Sequence, residues 1–180
     1  MNSPQFYNCP AGGDELFYIY AVYFDFLPTF VLENSPVMKI GICSDHAGVD
    51  YKSRLIAYLL GKGYEVVNFG TDSTQSCDYP DFAHPLGYAV ENGEVDAGIA
   101  ICGTGNGMAI TLNHHRGVRA GLAWNVQVAT LVKEHNNANV LVMPARFVSY
   151  RMAVMMVRAW LNTEFAGGRH QRRIDKIVCG

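Results

Sequence analysis

From Met38 onward the chain moves between two hydrophobic rhythms. Short apolar runs recur at residues 38–43, 64–69, 95–102, 117–123 and 140–143, and each predicts a strand. The run 97–102, apolar throughout and bounded by glycine, reads as buried on both faces, as in the middle of a parallel sheet. Between these runs apolar residues fall at helical spacing over 49–60, 81–92, about 106–114 and 125–134. A fifth helix is expected from a Ser149 cap through Leu161, with Ala153, Met156, Val157 and Trp160 on one face. Gly61 and Gly63 stop the first helix, His135-Asn136-Asn137 ends the fourth, and a last one starts near Arg169 after Gly167 and Gly168. Regular strand–helix alternation without internal repeats predicts an α/β three-layer sandwich, a doubly wound parallel sheet of about five strands in one domain over 38–180.

Residues 1–37 follow neither rhythm. Tyr7, Phe17, Tyr18, Tyr20, Tyr23, Phe24, Phe26 and Phe30 crowd together, and no lysine or arginine precedes Lys39. This stretch is expected to be an aromatic-rich N-terminal extension, either a flap that packs on the body or a partner or, the favoured reading, a segment separate from the chemistry. Its apolar portion, 17–32, carries Asp25 and Pro28 and is too short to span a bilayer, so neither a signal peptide nor a membrane anchor is expected. A formal net charge of -2 leaves no footprint for nucleic acid, and the dense basic cluster of Arg169, His170, Arg172 and Arg173 suits a small anion better. Five cysteines without a Cys-x-x-Cys pair support neither a disulfide framework nor a zinc knuckle, which fits a reducing cytoplasm.

Chemistry concentrates where the third run ends. Cys102 is its last residue, and Gly103, Gly105 and Gly107 then alternate with Thr104 and Asn106 just before a helix can start. Such a loop can turn tightly and aim several backbone N–H groups at one spot, an anion cradle beside a thiol. Ligands of open α/β sheets gather outside the carboxyl ends of strands, so the thiol stands where reactions are carried out. A glycine-rich strand-to-helix turn with a buried cysteine also occurs without catalysis, so the other residues must decide.

Asp45 and His46 directly follow the first strand and can move a proton between them and a ligand, although Asp45 can equally cap the next helix. His135 and Asn136 are placed by this reading at the sheet edge where ligands gather; a dipole-complementing histidine and a capping asparagine are the plainer alternative. Arg169 and Arg173 share a helical face as a two-pronged grip for phosphate, with Arg146 after the fifth strand as a third prong. His114 and His115 are left out, because adjacent helical residues face different ways. Two readings compete. In one, a thiolate abstracts a proton next to a carbonyl, backbone N–H groups hold the enediolate, and arginines anchor a phosphate. In the other, the glycine turn belongs to a nucleotide-binding module, but Gly103 to Gly107 lacks the dinucleotide spacing and no Gly-Lys-Ser/Thr follows.

The motifs Cys43-Ser-Asp-His-Ala-Gly48, Asp78-Tyr-Pro80, Gly93-Glu-Val-Asp-Ala-Gly98, Ile101-Cys-Gly-Thr-Gly-Asn-Gly107, Glu134-His-Asn-Asn-Ala-Asn-Val140 and Gly167-Gly-Arg-His-Gln-Arg-Arg173 occur in one order. With them the chain from Met38 to about Val178 resembles the type B ribose-5-phosphate isomerases. The resemblance implies a flavodoxin-like, Rossmann-like fold without metal or organic cofactor. It also implies interconversion of ribose 5-phosphate and ribulose 5-phosphate through a cis-enediolate. It makes Cys102 the base between C1 and C2, and the backbone of Gly103, Gly105, Asn106 and Gly107 the anion hole, assisted by Thr104. Asp45 and His135 would open the furanose ring. His46, Arg146, Arg169 and Arg173 would grip the phosphate, with His170 among the substrate-binding residues, and Tyr79 and Asn136 would hold sugar hydroxyls. It further implies a homodimer or homotetramer with sites shared between subunits, His135 and Arg146 serving the partner's pocket. Residues 1–37, Asn113-His-His-Arg116 and Trp124-Asn125 depart from the pattern. A relative acting on allose or galactose 6-phosphate is the nearest alternative, against which the Gly-Gly-Arg-His at 167–170 speaks.

Overall fold

The computed structural model describes residues 37–177; the expected extension lies outside them apart from Val37. Five parallel strands, β1 (Lys39–Ser44), β2 (Glu65–Asn68), β3 (Ala97–Cys102), β4 (Ala120–Leu122) and β5 (Val140–Pro144), stand in the order β2-β1-β3-β5-β4. The doubly wound three-layer sheet is as expected. Its last two strands are exchanged relative to the 2-1-3-4-5 order of flavodoxin, because β5 inserts between β3 and β4. β4 is shorter than the run 117–123 suggests: the Asn139 side chain binds the Arg119 N–H at 2.7 Å and the Gly117 carbonyl at 2.7 Å, holding those residues in a turn.

Among the described residues six helices follow in chain order: α1 (Val49–Leu60), α2 (Pro80–Glu91), α3 (Asn106–Leu112), α4 (Val126–Asn136), α5 (Tyr150–Leu161) and α6 (Arg169–Ile174). Ser149 caps α5 as expected, accepting from the Met152 N–H. Asn125 caps α4 in the same way. α4 runs on through His135 and Asn136 and is stopped by Asn137 in the left-handed region, φ 46°. Among the described residues no helix is long and apolar enough to cross a membrane.

Two apolar layers flank the sheet. On one face Leu55 and Leu59 of α1, Ala129 of α4, and Ala153, Met156, Val157 and Trp160 of α5 pack on Ile40, Ile42, Ile99, Ile101 and Leu141. On the other, Ala83 and Leu86 of α2 and Met108 and Leu112 of α3 pack on Cys43, Ala100, Val140 and Val142. The helices that follow β1 and β5 therefore lie on one face and the helix that follows β3 on the other. Chain leaving β3 diverges from chain leaving both neighbours, which opens crevices on either side of its last residue. That residue is Cys102.

Candidate active site

Cys102 lies at the floor of an open hollow of about 220 Å³ lined by Asp45, His46, Ala47, Tyr79, Cys102, Gly103, Thr104, Gly107 and Arg146. Three backbone bonds stitch the loops around it: Asp45 N–H to the Ile101 carbonyl at 3.1 Å, Ala145 N–H to the Cys102 carbonyl at 2.9 Å and Arg146 N–H to the Gly103 carbonyl at 3.1 Å. The sulfur itself accepts the Gly105 N–H at 3.1 Å. Gly105 can aim that donor because it sits at φ 79°, a conformation that L side chains avoid. A donor so placed stabilises negative charge on the sulfur. Asn106 begins α3, exposed, outside the residues that line the hollow.

The walls are built by close approach. Arg146 extends along Gly103, where an added Cβ would meet its Nε at 3.2 Å, and the Tyr79 ring lies on Gly107, where a Cβ would meet the ring at 2.6 Å. Asp45 does not cap α1, whose cap position is Gly48 with no side-chain bond; its carboxylate accepts the Ala47 N–H at 2.9 Å and stays at the hollow. His46 Nδ1 accepts the Cys77 N–H at 3.4 Å, which leaves Nε2 as the ring's donor. A second thiol, Cys43, lies behind the wall beside Met108. Burial, and then the neighbouring Cys102, push the Cys43 thiol far above the ordinary range, so it stays protonated and chemically quiet.

The polar loop over 69–79 is tied down at its start by a group that sequence reasoning missed. Lys52 is fully buried, and its ammonium donates to the side chains of Asn68 and Asp72, while Asn68 also receives the Gly70 N–H. The Lys52 hydrogen bond, followed by that from Asn68, holds the Asp72 carboxyl below its usual range. On an amphipathic helix a lysine reads as solvated; burial with two oxygen acceptors, one at the end of β2 and one on the loop after it, leaves no local signature. Cys77 is the other unforeseen contact.

The second half of the expected site is elsewhere, and this corrects the placement of His135 and Asn136 at the ligand edge. A helix that follows a parallel strand returns to the opposite edge, and α4 does so. Its end leads through Ala138 and Asn139 directly into the start of β5, and the Asn139 carbonyl accepts the Gly98 N–H near the start of β3. The length of β3, on the order of 15 Å or more, separates this end from Cys102. Arg173, His170 and the α4 end line a hollow of about 310 Å³ there, with Ile174 and Ile177. His170 is buried and stacks on half-buried His135, and Arg169 and Arg173 are exposed beside them on α6. Arg146, expected to serve a partner's pocket, instead lies against its own chain's Cys102 loop. His115, buried against Gly87 and bonded to His84 at 3.0 Å, and exposed His114 line an adjoining hollow of about 490 Å³ that shares Asn136, Ile174 and Ile177 with the hollow at the α4 end.

Residues 40–177 match the family described as Ribose/Galactose Isomerase. Ribose-5-phosphate isomerase B of Escherichia coli K12 is 42% identical over 140 residues, covering 78% of this chain and 94% of that protein. A solved ribose-5-phosphate isomerase B from Clostridium thermocellum is 46% identical with a TM-score of 0.77, covering 78% of this chain and 95% of its own. The same enzyme of Mycoplasma genitalium, solved with bound ribulose 5-phosphate, is 42% identical with a TM-score of 0.75 and covers 78% and 93%.

Proposed function

The chain belongs to the ribose/galactose isomerase family, and from that premise we propose that it interconverts ribose 5-phosphate and ribulose 5-phosphate with Cys102 as the base. The observation that carries this is the thiol at the floor of the hollow, receiving the Gly105 N–H at 3.1 Å, with Asp45 and Arg146 at its walls. The Cys102 thiolate takes the proton from C2 of the open-chain aldose, the electron pair passes to the carbonyl oxygen, and the cis-enediolate forms. Return of the proton to C1, with the O2 hydroxyl proton passing to O1 as the C2 carbonyl forms, completes the ketose. The loop over 103–107, with Thr104, holds the enediolate oxygens. His46, through Nε2, and Arg146 grip the phosphate, and Tyr79 holds a sugar hydroxyl.

Ring opening needs Asp45 and His135 together, and phosphate binding needs Arg169 and Arg173 as well. All of these but Asp45 lie at the far edge of the sheet. We therefore infer a homodimer, or a tetramer built from such dimers, in which a second copy brings its His135, Asn136, Arg169 and Arg173 to the hollow of the first. The separation of the two clusters within one chain supports this. The Gly-Gly-Arg-His at 167–170 favours a pentose over a hexose phosphate.

The test follows ketose formation from ribose 5-phosphate, allose 6-phosphate and galactose 6-phosphate by the wild-type protein and Cys102→Ala. Preference for the pentose is expected, with turnover lowered about 10²-fold to 10⁴-fold in the variant. A preference for a hexose phosphate would change the substrate and keep the mechanism. Absence of turnover on all three by the wild-type protein would sink the reading.

A further inference from the structure

Of the histidines and arginines expected at the site, His170 is the buried one, at 8% exposure. What its side chain meets is another imidazole. The rings of His170 and His135 lie parallel, with centroids 4.3 Å apart and planes within 6°. Arg169 donates from Nε to His170 Nε2 at 3.5 Å, Arg173 stands one turn further along α6, and Glu134 lies beside His135 on α4. The two segments are joined again where the Ala166 N–H bonds the Glu134 carbonyl at 2.9 Å.

Each neighbour bears on what His170 can do. Its Nε2 is occupied as an acceptor, and its ring face is covered by His135, so little of the ring is left to reach a sugar phosphate. Two stacked imidazolium rings would repel at this distance, and Arg169 and Arg173 add positive charge. Burial, then His135, Arg169 and Arg173, keep its pKa below the usual histidine range, with Glu134 alone opposing them. At neutral pH these neighbours hold the His170 ring in its uncharged form. An unsupported histidine near a helix end turns about both side-chain torsions, whereas a parallel ring held at contact distance restricts it to one plane.

We propose that His170 is a positioning residue: the face of its ring fixes the plane of His135, and so the direction in which His135 presents its nitrogens to the sugar ring. The proposal rests on the isomerase reading and on the ring-opening role of His135 within it. It assigns His170 neither proton transfer nor phosphate binding, which is where it parts from the substrate-binding role that the motif resemblance implies.

Steady-state kinetics on ribose 5-phosphate with His170→Ala and His170→Phe separate the two roles. Without the platform His170→Ala loses turnover about 10-fold to 100-fold, the scale of a misdirected catalytic group, while KM moves less than about threefold because Arg169 and Arg173 remain. His170→Phe, which keeps a flat face and has no nitrogen, recovers most of the lost turnover. In a His135→Asn background the two substitutions become equivalent. A raised KM at unchanged turnover in His170→Ala, a Phe variant as impaired as the Ala variant, or an Ala variant like wild type would each overturn the assignment. If His170→Ala does not fold, imidazole NMR of the wild-type protein decides: ring-current shifts on His135 at about pH 8 are expected, and their absence overturns it. A wild-type protein without isomerase activity would defeat the functional reading itself; an active wild type with any contrary variant result defeats the His170 assignment alone.

Discussion

The two polar clusters of this domain are built in opposite ways. Around Cys102, three loops from adjacent strands are laced by backbone bonds, and glycines let Tyr79 and Arg146 close in to contact distance. At the other edge, a helix end meets the loop before the six-residue α6 through one backbone bond and α6 itself through a pair of stacked rings. The first cluster has a thiol and a glycine loop but few cations; the second has two arginines and two histidines and, among the described residues, no thiol. Each holds what the other lacks. The division fits a reaction centre assembled on association, for which a two-fold pair supplies two equivalent composite sites.

The sharpest way to break this comparison is to divide the defects between chains. Cys102→Ala and His135→Asn, each nearly inactive alone, are expected to regain about a quarter of wild-type activity when co-refolded in equal amounts. Half of randomly paired dimers are hybrids, and each hybrid holds one intact composite site. A mixture no more active than its parts would overturn the shared composite site. Next in size, Arg173→Ala should raise KM for ribose 5-phosphate about tenfold or more with a smaller change in kcat, as for a lost charged partner of phosphate. An unchanged KM would remove α6 from substrate binding.

Smaller effects sharpen the contrast in rigidity. Gly105→Ala puts a side chain at φ 79° and against Leu122 Cδ1, and a stability loss of about 1–3 kcal/mol in denaturant melts is expected. An unaltered midpoint would contradict the constraint claimed for this loop. The smallest concerns Asp72, exposed at its side chain and paired to Lys52. Its carboxyl is lowered in the folded state by that bond, so its contribution to stability is present above the unfolded value of about 3.9 and is lost as pH falls through the folded value. Thermal melts from about pH 5 down to pH 2 should therefore fall more steeply for wild type than for Asp72→Asn. Parallel curves would show that the lock at the start of the loop contributes nothing.

Local sequence was informative wherever one segment decides its own structure. The glycine alternation after Cys102 marks the cradle, Ser149 and Asn137 mark helix ends, and Asp45, His46 and Arg146 all follow strands and so share an edge. What escaped were facts about how segments return. His135 was misplaced because its motif gives its distance along the chain but not the edge to which α4 runs back. Strand order escaped for the same reason, since nothing within 140–144 says that it inserts beside β3 rather than outside β4. Lys52 and the His170–His135 stack depend on partners 16 or more residues away.

β3 is bonded along both sides, to β1 and to β5, and all six of its residues are buried. In the language of hydrogen exchange its amides are expected to open only with the whole domain, and those of a six-residue helix such as α6 in far smaller fluctuations. The proposed proton-transfer base is thus expected to keep its register through every event short of global unfolding, and the proposed anion clamp is the part whose ordering a partner copy or a bound phosphate can supply.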